Sequence, residues 1–140
     1  MMARLAPQPL RGWLLASLLL WVAIGIGWLR LTRGFHATDQ LAAIATASLV
    51  TAYAAAAYLN HLVLIPRYWR TGQHKRYALT LLAAMLTLTA IALAVLRTFY
   101  IRAIGPAAVN RLEVDFALDF FGMLVHVSAA ALVVHVLRKR

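Results

Sequence analysis

The sequence predicts an all-α fold, a polytopic membrane protein built as a four-transmembrane-helix bundle. Three observations carry this. Four long apolar stretches, approximately Gly12–Leu29, Leu41–Ile65, Tyr77–Leu96 and Phe116–Leu137, fill most of the 140 residues. Each meets or nearly meets the roughly 20 apolar residues a helix needs to cross a bilayer core about 30 Å thick. The stretches lack the period-two alternation of a membrane barrel, and lipid admits only helices or closed barrels. Finally, 64 % of the residues are hydrophobic and the mean hydropathy is +0.78, against roughly 45–50 % apolar residues in soluble chains. Residues 1–140 therefore read as a single membrane domain, with only connectors and termini outside the bilayer.

The first span follows Arg4 and Arg11, like the start of a signal peptide. Its run is longer than a typical signal-peptide core of about 7–15 residues, and Arg30 and Arg33 follow where a cleavage site would stand. It is expected to be a retained helix, bracketed by Trp13 and Trp28 at the headgroup level. The second span is expected to stop or kink at Pro66, with Gly72 turning the connector and Tyr68, Trp69 and Tyr77 at the interface. The third span leads into an exposed loop at Arg97–Val109 that contains Gly105-Pro106. The fourth opens on Asn110, with Glu113 three residues later and Asp115 beyond it, an arrangement like a capping box.

Charge orients the spans. The N-terminal tail, the second connector (Arg67, Arg70, Lys75, Arg76) and Arg138–Arg140 carry nine basic residues and no acid. The opposite side carries Arg30, Arg33, Arg97, Arg102 and Arg111 with Asp39, Glu113 and Asp115. The positive-inside rule then places both termini in the cytoplasm. The net charge of +10 is thereby explained by the lipid bilayer as partner, and nucleic acid is not expected. With no cysteine, disulfides, thiolate zinc sites and iron–sulfur clusters are excluded. Small residues at four-residue spacing, Ala43, Ala47, Thr51 and Ala55, predict a compact bundle or a homodimer face.

Chemistry-bearing side chains inside the spans are few. Asp119 is the one acid there, and His126 lies seven residues on, on the same helical face and about 10 Å along the axis. An intramembrane ionisable pair suggests a polar path; the plainer reading is a hydrogen-bonded Asp119 and a neutral His126. His61 and His135 lie at similar depth near the basic ends of parallel spans, where two imidazoles could ligate a b-type haem. Interfacial histidines are the plainer reading there too, and no cofactor or metal is expected. No nucleophile–base arrangement, phosphate-binding glycine loop or paired carboxylates suited to catalysis is present, so the chain is not expected to be an enzyme.

From Tyr58 the chain reads YLNHLVLIPRYWRTGQHKRYALTLL. This resembles the amino-terminal membrane region of LytS-type sensor histidine kinases, which pair with LytTR-type regulators. The matching residues are Tyr58, Leu59, Asn60, Leu64, Ile65, Pro66, Arg67, Lys75 and Tyr77. The resemblance implies a four-span sensor module with a cytoplasmic C-terminus, an elbow at Tyr58, Asn60, Pro66 and Arg67, and a kinase core or LytTR-type regulator as partner. The family's phosphoacceptor segment and ATP-binding domain have no counterpart in these 140 residues, so none of the five histidines inherits the phosphoacceptor role. The expectation is a truncated or stand-alone sensor module. A small dimeric proton-coupled transporter using Asp119 and His126 is the alternative, and a haem electron carrier the third.

Overall fold

A computed structural model describes the backbone of residues 8–106 and 112–138 and the side chains of residues 15–106 and 117–131. The described chain is an all-α bundle with no strand. Helix α1 (Gln8–Thr32) ends in a short 3-10 turn, Arg33–Phe35. Helix α2 (Asp39–Leu59) continues as a π-helix, Asn60–Trp69. Helices α3 (His74–Ile104) and α4 (Leu112–Arg138) complete the bundle. Three continuous helical segments, Leu15–Phe35, Asp39–Trp69 and His74–Ile104, are long and apolar enough to cross a membrane. The part of α4 with described side chains contributes a shorter apolar stretch, Ala117–Ala131.

Local chemistry sets the helix ends. The Thr38 hydroxyl accepts from the Leu41 N–H at 3.1 Å, and Asp39 occupies the first turn of α2, where a carboxylate favours the positive helix end. Gly105 ends α3 with φ 103°, and Gly72 turns the α2–α3 connector with φ 75°, conformations costly for residues with a Cβ. Across the α1–α2 turn, Arg33 grips Asp39 through both carboxylate oxygens at 2.6 and 2.5 Å.

Pro66 does not end the second span. In a regular α-helix its ring would press on the carbonyl four residues back and remove one backbone bond. The helix widens instead. Along this stretch hydrogen bonds reach five residues back, ending with Arg70 N–H to Ile65 O at 3.0 Å. The wider turn seats the proline, and the segment runs on to Trp69.

Helix α2 packs against the other three helices, and α4 also packs on α3. The core is made of small and flexible residues: Ala52, Tyr53 and Ala56 of α2, Met85 and Ala92 of α3, and Met123 and Val127 of α4. Alanines let the backbones approach closely, which supplies the dispersion contacts that bind helices in lipid. Leu18, Leu79, Leu118 and Phe121 are among the many large apolar side chains left on the outside. A water-soluble bundle would bury that surface, whereas lipid solvates it. Among the described residues α1 contributes no fully buried side chain, and Trp21 is its half-buried contact with the core.

The small-residue row lies on the outer surface. Ala43, Ala47, Thr51 and Ala55 are all exposed, and the last three help line an open groove of about 420 Å³ closed on its other side by Leu88, Ile91 and Val95 of α3. The bundle interior uses the neighbouring phase of the same alanine-rich helix, Ala42, Ala45, Ala52 and Ala56.

Candidate functional site

Halfway along α4, His126 is held by three other residues. Its Nε2 lies 3.1 Å from the indole nitrogen of Trp28, a group that can only donate. Its Nδ1 lies 2.7 Å from the Gly122 carbonyl oxygen, which can only accept. These partners assign the protons: Nε2 offers its lone pair, Nδ1 carries the hydrogen, and the imidazole is neutral. The ring stacks on Tyr53 of α2, with centroids 4.6 Å apart and planes 25° from parallel. One side chain thus joins α1, α2 and α4.

Gly122 makes this packing possible. A Cβ there would lie 2.8 Å from the Tyr53 hydroxyl oxygen and 3.4 Å from the ring carbon that bears it. The glycine lets the phenol cross α4 one turn before His126. Asp119, three residues before Gly122 and half-buried, acts electrostatically on that phenol. Asp119 and His126 do share a face of α4, and Tyr53 lies between them. Trp28 is half-buried and reaches His126 of α4 through its indole nitrogen. Tyr53 and Gly122 carried no expectation. Their only trace in the sequence is a lone tyrosine in an alanine run, Thr51–Ala57, and a glycine four residues before a histidine.

A second cluster gathers the residues of the resembling stretch. Asn60, only 2 % exposed, accepts through Oδ1 from the Tyr77 hydroxyl of α3 at 2.8 Å. Tyr58 hydrogen-bonds Ser17 of α1 through its hydroxyl. Trp69 meets Tyr77 and His74 edge-on, at centroid distances of 5.2 and 4.7 Å. Arg67 and Pro66 are exposed on the π-helix, and the Arg67 guanidinium lies 5.5 Å from the Tyr68 ring centre. His61 is half-buried in the first turn of the π-helix. His135 lies on the helical backbone of α4, but its side chain is outside the described residues, as are those of Glu113 and Asp115. Asn110 lies outside them altogether.

At the opposite end, in the α1–α2 turn, His36 hydrogen-bonds the Tyr100 hydroxyl through Nδ1. Partial burial holds its pKa below the usual histidine value. Among the described residues no cluster of three or more His, Asp or Glu side chains could hold a metal ion.

Family models, curated proteins and solved structures yield no match to this chain. The fold and site define an α-helical bundle, with helices long and apolar enough to span a membrane and with polar side chains pinning one helix to the next.

Proposed function

We propose that this chain is a non-catalytic signalling module of the bacterial inner membrane, similar to the membrane region of LytS-type sensor kinases. Both termini lie in the cytoplasm, it acts as a homodimer, and it passes a change in helix packing through α4 to a kinase core or a LytTR-type regulator. One observation carries the reading. Three residues of the resembling stretch make cross-helix hydrogen bonds, Tyr58 to α1 and Asn60 to Tyr77, and so set helix register rather than form a reactive site.

Fusing a dimeric histidine-kinase core after Arg140 tests this. Autophosphorylation in membrane vesicles should change at least about threefold in Asn60→Leu and Tyr77→Phe, since about 0.6 kcal/mol per interhelical bond is a factor of about three. It should not change in Leu79→Ala, which alters an outward-facing side chain. Equal output from all three would count against signalling. Reporter fusions after Arg140 and within 67–76 should read cytoplasm, and fusions within 102–110 should read outside.

The transporter reading retains one supporting observation, the shared face of α4 that carries His126 near its middle and Asp119 about two turns from its start. It requires a pH-gradient-driven flux in proteoliposomes that Asp119→Asn abolishes without disturbing assembly. A visible absorption spectrum of the purified protein decides whether His61 and His135 hold a haem.

A further inference from the structure

The geometry points to His126 as a proton-binding site, at which uptake of one proton breaks the hydrogen bond that joins α1 to α4. The identity of the signal, acidity, rests on the signalling reading above; the latch itself rests on side-chain chemistry alone.

A neutral Nδ1–H imidazole has one lone pair, on Nε2, and the Trp28 indole N–H points at it from 3.1 Å. A proton can add only there. Once added, Nε2 becomes a donor facing another donor, and indole has no lone pair to offer in exchange. The two groups must separate. No tautomer shift avoids this, because Nδ1–H stays committed to the Gly122 carbonyl. The bond that breaks is therefore specific: α1 is released, while the histidine keeps its place on α4.

The surroundings suit a transient cation. The Tyr53 ring face lies against the imidazole, where a cation–π attraction would operate. Asp119 on the same face, about two turns away, is the one carboxylate among the described side chains of α4, residues 117–131. From α2 the titratable group is the Tyr53 phenol. From α1 the facing group is Trp28, which does not titrate. The neighbouring core residues of α3, Met85 and Leu88, are uncharged.

Helix α1 can respond because little else holds it. It has no fully buried side chain among the described residues, and it packs along α2. Another cross-helix hydrogen bond of α1, Ser17 to Tyr58, lies about three turns from Trp28. Loss of the Trp28 bond would let the Trp28 end of α1 swing from α4 while the Ser17 end stays pinned. The motion is a hinge.

The chain lacks cysteine, so single thiols can be placed at will. Spin labels at the exposed positions Val22 of α1 and Val125 of α4, in protein reconstituted in nanodiscs, would report the separation by pulsed electron paramagnetic resonance. Between about pH 8 and about pH 5, the range where histidine titrates, the ratio of close to separated molecules should fall roughly fivefold to tenfold, the equivalent of one ordinary hydrogen bond. His126→Gln, whose amide oxygen can accept from Trp28 but cannot titrate, should stay close at both pH values. Trp28→Phe, which keeps an aromatic ring but has no N–H, should abolish the pH response from the other side. Nitrogen NMR of labelled histidine should show the Nδ1–H tautomer at pH 8, with that signal absent in His126→Gln. A wild-type distance that ignores pH, a response that survives His126→Gln, or an Nε2–H tautomer would each overturn the proposal. A pH-driven separation that leaves the kinase fusion's output unchanged would uphold the latch and count against the signalling reading.

Discussion

Gly122→Ala should destabilise the bundle even though alanine is the better helix former. In a helix interior the exchange gains about 1 kcal/mol of propensity. Against that stands a Cβ 2.8 Å from the Tyr53 hydroxyl oxygen, a separation that forces something to move. The phenol cannot easily give way: Tyr53 is 3 % exposed and its ring lies flat on His126. Overpacking of this kind costs about 1–3 kcal/mol, so a net loss of about 1 kcal/mol is expected. The structure also says which atom is responsible. Removing the hydroxyl leaves the ring carbon 3.4 Å from the new Cβ, an ordinary contact. In a Tyr53→Phe background, Gly122→Ala should therefore cost nothing or stabilise slightly, giving a coupling energy of about 1–3 kcal/mol in a double-mutant cycle. The assay is reversible unfolding in mixed micelles, followed by helix circular dichroism. If Gly122→Ala proves as stable as the parent, or if the cycle shows no coupling, the close approach of Tyr53 to α4 is refuted.

Other perturbations test other contacts. Tyr77→Phe leaves the buried Asn60 amide without its donor and should cost about 1–3 kcal/mol, whereas Tyr77→Phe combined with Asn60→Leu should recover part of that loss; micellar unfolding of the three variants decides. At His36 the folded-state pKa is lowered, so the unfolded chain binds more protons near the ordinary value of about 6.5. Stability should hold above that pH and fall as pH drops through it, and pH-dependent unfolding of His36→Gln should lack this component. Pro66→Ala removes the reason for the widened turn, so the segment Asn60–Trp69 should return toward regular α-helical pairing. Hydrogen exchange should show added protection near residue 66, and disulfide trapping between positions 69 and 77 should slow severalfold as Trp69 rotates away from Tyr77.

What could be read from the sequence was whatever periodicity and composition determine. Four apolar stretches became four helices; most ends extend by a few residues, but α3 runs eight residues past Leu96 to Ile104, over the first part of the stretch Arg97–Val109 that was expected to be a loop. The common face of Asp119 and His126 followed from a seven-residue spacing, and so did their position on α4. The partners did not follow. Trp28 and His126 are 98 residues apart, and no local pattern says which of four tryptophans will turn inward. The alanine row does not pack the bundle interior; it lies exposed, where a homodimer face would be. Helix α2 carries alanine on nearly every face, so Ala43, Ala47, Thr51 and Ala55 could be chosen as readily as the phase that is buried. Pro66 was legible as a broken hydrogen bond, and the structure answers it with a widened turn through Asn60–Trp69 rather than a stop.

The loose seating of α1 sets an order of events during synthesis. Trp28 leaves the ribosome 98 residues before its partner His126, and at roughly 5–20 residues per second that gap is on the order of ten seconds. During that interval α1 must sit in the bilayer without its partner on α4. Its apolar surface, with Leu15, Leu18, Leu19, Leu20, Val22 and Ile26 all outward, lets it do so without exposing anything that needs a neighbour. The indole N–H is the exception, and it waits longest. The Trp28 end of the first helix made is thus fastened only when α4 arrives, although its Ser17 end can pair with Tyr58 once α2 is made.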